Sequence, residues 1–134
     1  MDPARLKQVP VFSSLKRRER AWVAALADEI DVSPGKVLMS EGETGLEFFV
    51  IEEGSAKVIR GDEPVADLGP GDFFGEIALH AVSGKRTASV VASSPMQLIV
   101  MTRQGFGSMK REMPGVASEV RRAMEERQPA PSPR

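Results

Sequence analysis

A glycine, a carboxylate and an arginine are spaced so that they could bind a small anion together. Gly75 precedes Glu76, and Arg86 follows Glu76 by ten positions. A ligand can approach a glycine backbone closely because glycine has no Cβ. Glu76 opens a short apolar stretch, and the first turn of a helix offers unpaired N–H groups that attract phosphate. The planar fork of Arg86 suits phosphate oxygens, so this segment predicts a compact anion site.

Glu76 indicates that the anion carries a hydroxyl group. A carboxylate beside a bound phosphate would repel it unless the carboxylate has another partner. When ionised, a carboxylate only accepts hydrogen bonds, so Glu76 suits a sugar hydroxyl. It could also pair with Arg86. Together the two charges favour a phosphate and a ribose in one pocket, which indicates a nucleotide.

The N-terminal part of the chain has a helical pattern. Ser14 is a candidate N-cap for a helix from about Leu15 to Ile30. An apolar stripe with helical spacing supports this prediction and consists of Trp22, Val23, Leu26 and Ile30. We therefore expect residues 1–30 to be a helical segment.

Strand-like runs separated by Gly, Pro and Asp begin at Asp31 and predict an antiparallel sandwich or barrel. These runs cover residues 36–39, 48–51, 56–59, 65–68, 88–92 and 97–101. Helical spacing returns after Thr102, with a break at Pro114-Gly115 and a last helix from about Val116 to Arg127. The predicted fold class is mainly β: an antiparallel, jelly-roll-like β-roll over residues 31–102, with an N-terminal helix and two C-terminal helices. One domain would cover residues 1–127, and the Pro-rich residues 128–134 are expected to be disordered.

Composition limits the classes of function. The chain has 134 residues, 41% hydrophobic and 28% charged, as in globular domains. Its net charge of -1 predicts no general attraction to nucleic acid or to an anionic membrane. With no cysteine and one histidine, thiolate and multi-histidine metal centres are excluded. No apolar signal core opens the sequence, so a cytoplasmic location is expected.

Residues 74–79 (FGEIAL) and 86–90 (RTASV) resemble the phosphate-binding cassette of the cyclic nucleotide-binding domain family. Upstream runs that also resemble the family include GKVL at 35–38, FFVI at 48–51 and LGPGD at 68–72. The similarity extends over about residues 8–127. It implies a β-roll that binds a cyclic nucleotide through the cassette, here residues 74–90.

The resemblance implies a role for each site residue. Glu76 would accept from the ribose 2′-hydroxyl, and Arg86 would pair with the exocyclic phosphate oxygens. The backbone around the cassette would complete the phosphate site, and two apolar residues would line the base pocket. The implied binding residues are Gly75, Glu76, Ile77, Ala78, Arg86, Thr87, Ala88, Val58 and Leu68. The last helix would be a lid over the base, with Arg121, Arg122 and Met124 as candidate base-capping residues.

Three positions depart from the common family pattern. The spacing from Glu76 to Arg86 is ten where many members have nine, His80 replaces an aliphatic or aromatic residue, and Lys85 replaces a common proline. None of these removes an implied ligand contact. Thr87 is compatible with cAMP and with cGMP, and resemblance to stand-alone bacterial domains makes cAMP the default. No metal or other cofactor is implied.

The expected function is a sensor without a catalytic centre. The sequence has no room after the lid for a winged helix, so we expect a stand-alone domain that acts on a separate effector protein. Ligand binding would close the lid about a hinge at Pro114-Gly115, and a homodimer through the C-terminal helices is an open alternative. Two other functions are compatible with the fold: an interaction module that binds no nucleotide, and a cupin-like metalloenzyme.

Overall fold

The computed structural model describes residues 1–43, 47–75 and 88–126. Two short 3₁₀ helices, Pro3–Gln8 and Pro10–Phe12, precede the first α-helix. The α-helices are α1 (Arg17–Leu26), α2 (Arg103–Glu112) and α3 (Pro114–Glu126). The strands are β1 (Ala27–Val32), β2 (Val37–Met39), β3 (Glu47–Glu53), β4 (Ala56–Arg60), β5 (Glu63–Leu68), β6 (Phe73–Phe74), β7 (Ser89–Ala92) and β8 (Met96–Thr102).

The described strands form two four-stranded antiparallel sheets. The first has the order β1-β8-β3-β6 and the second the order β2-β7-β4-β5. Strands that are neighbours in a sheet are mostly distant in sequence, as in a rolled-up sandwich rather than a meander. The predicted fold class, an antiparallel β-roll with flanking helices, is confirmed.

The central strand β3 separates two apolar layers. Successive side chains of a strand point to opposite faces. Phe48 and Val50 therefore pack against the helices, whereas Phe49 and Ile51 pack between the two sheets. Since both faces are covered, all four side chains are buried. This explains why β3 appears in the sequence as a continuous apolar run and not as an alternating one.

The C-terminal helices are attached to the outer face of the first sheet. Thr102 caps α2 by accepting a hydrogen bond from the Gly105 N–H at 2.9 Å. The Phe106 ring then meets Phe48 edge to face, with 5.9 Å between centroids and an interplanar angle of 80°. A movement of α2 would therefore disturb the packing of its Phe106 ring on β3.

The predicted N-terminal helix was wrong at both ends. Helix α1 ends at Leu26, and the residues from Ala27 form β1, in which Ile30 lies opposite Leu98 of β8. Ile30 continues the helical spacing by coincidence and is 38% exposed. At the start, Lys16 rather than Ser14 is the N-cap residue, and its N–H donates to the Glu19 carboxylate at 2.7 Å.

The structure differs from the sequence-based expectation at two further places. Strand β6, only two residues long, was missed because so short a run carries no periodicity. Pro114 is the first residue of α3, whereas the sequence placed the helix start at Val116. Proline is well suited to the first helical position because its fixed φ is helical and its missing N–H has no helical partner. The predicted tail, 128–134, lies outside the described residues.

Gly54 in the β3–β4 turn is predicted to resist substitution. Its φ is +94°, and an added Cβ would lie 2.3 Å from the Pro95 carbonyl oxygen. We expect Gly54→Ala to lower the free energy of unfolding by about 2–3 kcal/mol, since strain of this kind costs roughly 1–3 kcal/mol before the clash is relieved. Urea denaturation measures this change. Gly69→Ala is the control, because a Cβ there meets nothing within 4 Å; equal losses in both variants would contradict the prediction.

Candidate functional site

Gly75 follows β6 at the start of the predicted cassette. It is buried and has a φ of +91°, a conformation that L side chains rarely adopt. The preceding residue, Phe74, is buried and stacked on Phe49, with 4.8 Å between ring centroids. The core thus fixes the position of the backbone from which the cassette begins.

The turn before β6 is held by backbone hydrogen bonds to β3. The Gly71 N–H donates to the Ile51 carbonyl, and the Ile51 N–H donates to the Asp72 carbonyl, both at 2.8 Å. The Asp72 carboxylate accepts from the Gly69 N–H, also at 2.8 Å. The LGPGD run at 68–72 therefore forms a hydrogen-bonded turn that leads into the start of the cassette.

Three of the predicted binding residues come together in one apolar cluster between the sheets. Val58, Leu68 and Ala88 are 0%, 6% and 2% exposed, and all belong to the cluster that contains Phe74. In the second sheet, Val58 lies between Ala66 of β5 and Val90 of β7 in register. The arrangement forms an apolar wall next to the two ends of the cassette, and the base-binding role of these residues stays a prediction.

A hydrogen-bond contact that the sequence did not predict joins the far end of the cassette to a distant loop. The Glu41 N–H donates to the Ser89 hydroxyl at 2.9 Å. The Glu41 carboxylate in turn accepts from the Gly61 N–H at 3.0 Å. Sequence analysis placed Ser89 in the cassette but gave Glu41 no role, since residues 48 positions apart carry no local signal.

The remaining predicted ligand contacts lie outside the described residues: Glu76, Ile77, Ala78, Arg86 and Thr87. The same holds for the two atypical positions, His80 and Lys85. Their roles stay predictions. Of the candidate base-capping residues, Arg121 and Arg122 are exposed on α3, and Met124 belongs to the same helix.

Two general features of the described residues bear on the class of protein. Within residues 1–43, 47–75 and 88–126, no group of three or more His, Cys, Asp or Glu side chains could hold a metal ion. In the same ranges, no helix combines the length and the apolar character that crossing a bilayer requires. These are observations on the described part of the chain.

The two-sheet roll, the left-handed glycine after β6 and the apolar wall beside it define a small β-roll with flanking helices. The family model described as the cyclic nucleotide-binding domain matches residues 29–112. The chain belongs to that family. The matched residues include both ends of the predicted cassette, and the resemblance seen in the sequence is confirmed.

Known proteins agree with this assignment. The chain is 39% identical over 134 residues to a cAMP-dependent protein kinase regulatory subunit of Aspergillus fumigatus, covering 98% of this chain and 32% of the relative. The regulatory domain of Toxoplasma gondii PKA, co-crystallised with cAMP, is 29% identical with a TM-score of 0.74, covering 93% of this chain and 49% of that one. A cyclic nucleotide-binding domain of Methylobacillus flagellatus, at 21% identity and a TM-score of 0.80, shares the fold and covers 92% and 71%.

The relatives are longer than this chain. It covers 25% to 32% of the length of the curated regulatory subunits that it matches. The family and the fold are therefore shown for a region that corresponds to about a third of those proteins.

Proposed function

We propose that this chain is a regulatory domain that binds cAMP in preference to cGMP and carries no catalytic centre. Binding would be relayed through the C-terminal helices to a partner protein. The observation that carries the proposal is the overlap of two features. The family match spans the cassette, and Val58, Leu68 and Ala88 are buried in the apolar cluster that contains Phe74, the residue before Gly75.

The proposed ligand contacts divide into a polar and an apolar set. Glu76 would accept from the ribose 2′-hydroxyl, and Arg86 would hold the cyclic phosphate with the cassette backbone. Val58 and Leu68 would lie below the base; both are buried in the described structure. A cyclic phosphate carries one negative charge, so one arginine with backbone N–H donors is sufficient to balance it.

The preference for cAMP rests on the relatives. The fungal relatives are named as cAMP-dependent, and the Toxoplasma gondii domain was crystallised with cAMP. Thr87 does not distinguish adenine from guanine, because a threonine hydroxyl can donate or accept a hydrogen bond.

The proposed relay uses the contact between α2 and the roll. Phe106 of α2 packs on Phe48 of β3, and α3 follows after Met113 and packs on the second 3₁₀ helix. Met113 lies between the two helices, and its carbonyl accepts from the Ala117 N–H in the first turn of α3 at 3.0 Å, next to the predicted hinge at Pro114-Gly115. A ligand could shift the position of α3 only if it bound the two helix arrangements with different affinities. A partner protein would then respond to the fraction of molecules in each arrangement.

Thermal denaturation with and without nucleotide tests the binding proposal. A ligand at 100 times its dissociation constant stabilises the folded state by about 2.7 kcal/mol, which raises the melting temperature by roughly 5–15 °C for a domain of this size. We expect such a rise with cAMP and a smaller one with cGMP at equal concentration. A folded protein that shows no rise with either nucleotide would instead be the interaction module.

Glu76→Gln tests the ribose contact. An amide is a weaker acceptor than a carboxylate, and hydrogen bonds to charged groups contribute about 1.5–3 kcal/mol. We expect affinity for cAMP to fall roughly 10- to 100-fold, with little change for 2′-deoxy-cAMP, which lacks the donor. Calorimetric titration with both nucleotides measures the difference. Glu63→Gln, on the exposed start of β5, is the control, and equal losses for both nucleotides in Glu76→Gln would exclude the contact.

A further inference from the structure

A cluster of one cation and two carboxylates lies where the first 3₁₀ helix meets the first sheet. The Nε atom of Arg5 is 3.1 Å from Glu29 Oε2 on β1 and 3.1 Å from Glu52 Oε2 on β3. Its Nη2 atom donates to Gln97 Oε1 on β8 at 2.8 Å. Strand β8 lies between β1 and β3, so the cluster ties all three strands to the N-terminal segment.

The two carboxylates are poorly supplied with hydrogen-bond donors. A single Nε–H of Arg5 faces both, and it donates to Glu52. Glu29 Oε2 and Glu52 Oε1 are buried and lack a hydrogen bond from any donor in the described part of the chain. The Glu52 side chain is only 9% exposed. Two fully ionised carboxylates beside one arginine would leave a net negative charge in a largely buried place, which is costly.

One proton held between Glu29 and Glu52 would cancel the excess negative charge and supply the missing hydrogen-bond donor. Burial, followed by the hydrogen bond to Glu29 and the Glu29 charge, raises the pKa of the Glu52 carboxyl from 4.5 to about 7, although Arg5 acts in the opposite direction.

We infer that Glu29 and Glu52 form a proton-binding pair that, with Arg5, makes the stability of the domain depend on pH near neutrality. The pair binds one proton below neutral pH and releases it to solvent above. This device is separate from the proposed nucleotide site, and its test requires no ligand.

Several elements packed around the pair carry charged groups. A cavity of about 250 Å³ beside the pair is lined by Arg5, Glu52, Glu53 and the uncharged Gln8. On β1, the exposed Asp31 lies opposite Gln97 in register. In the turn against β3, the Asp72 carboxylate accepts from Gly69. Arg5 is therefore the cation that contacts the pair among the described residues.

The sign of the effect follows from the direction of the shift. The folded state binds the proton more tightly than the unfolded chain, so stability is highest at low pH and falls as pH rises from about 4.5 through 7. In Glu52→Gln the amide replaces the protonated carboxyl, donates to Glu29 and accepts from Arg5. That variant should keep the low-pH stability at all pH values.

The experiment is thermal denaturation of wild type, Glu52→Gln and Glu63→Gln between pH 5 and pH 8.5. Relative to Glu52→Gln, we expect the melting temperature of wild type to fall by about 5–10 °C over this range. Glu63→Gln, the same change at an exposed position in the other sheet, should follow wild type. All three proteins retain His80, so that residue does not distinguish them.

A carboxyl titration provides a readout that needs no substitution. In wild type, NMR of the glutamate side-chain carboxyl groups should show one that titrates near pH 7, and Glu29→Gln should move that midpoint downward. Parallel melting curves for wild type and Glu52→Gln, or the absence of any glutamate titrating above pH 6, would overturn the inference.

Discussion

Replacing Arg86 with alanine is expected to weaken cAMP binding by between tens of times and a few thousandfold. Removing one partner of a buried charge pair costs about 2–5 kcal/mol, and each 1.4 kcal/mol is roughly a tenfold change in affinity. The bound phosphate would lose its cation while the apolar wall at Val58 and Leu68 remained intact. Isothermal titration calorimetry with cAMP measures the effect.

Lys85→Ala is the matched control for Arg86→Ala. The two cations are adjacent in the sequence, and the family resemblance gives only Arg86 a ligand contact. We expect Lys85→Ala to change affinity by less than a few times. Unchanged affinity in Arg86→Ala, or equal losses in both variants, would remove Arg86 from the proposed site and leave only a general effect of positive charge.

Replacing Phe48 with alanine is expected to lower the free energy of unfolding by about 3–5 kcal/mol. Phe48 is 1% exposed and meets the Phe106 ring edge to face. The substitution would open a cavity at the contact between α2 and the roll, and whole domains are stable by only about 5–15 kcal/mol. Chemical denaturation followed by circular dichroism measures the loss.

Val65→Ala gives the comparison for Phe48→Ala. Val65 is also an apolar strand residue, but it is 44% exposed on β5. Its truncation should change stability by no more than about 0.5 kcal/mol. A loss below about 1 kcal/mol for Phe48→Ala would show that the contact between β3 and α2 does not hold the C-terminal helices.

The fold was predictable where the sequence pattern reports burial. Strand β3 was evident because both of its faces are covered, and its apolar run is continuous. Strand β1 was missed because its acidic residues, Asp28, Glu29 and Asp31, interrupt the alternation of apolar and polar residues that is typical of a strand. In addition, Ile30 continues the helical stripe of α1. Pairing with β8, about 70 residues away in the sequence, decides whether this segment is a helix or a strand. No local pattern contains that contact.

The local structure of a few candidate site residues was predictable for the same physical reason. Val58 and Leu68 are buried in one apolar cluster, and Gly75 has the positive φ that favours glycine; their roles in ligand binding stay predictions. The Glu41–Ser89 hydrogen bond and the Arg5 cluster were not predictable, since they join residues 48 and 47 positions apart. The charged contacts of Glu76 and Arg86 stay predictions from the family pattern.

Binding of cAMP by this domain can be tested by one calorimetric titration series with cAMP, cGMP and AMP under identical buffer and salt. We expect a single saturable site that binds cAMP more tightly than cGMP, and both at least about tenfold more tightly than AMP. AMP has the same base and ribose as cAMP, but its open phosphate does not match a cassette for a cyclic monoanion. Binding of AMP as tight as that of cAMP, or no binding of either cyclic nucleotide, would show that the domain is not a cAMP-binding regulatory domain.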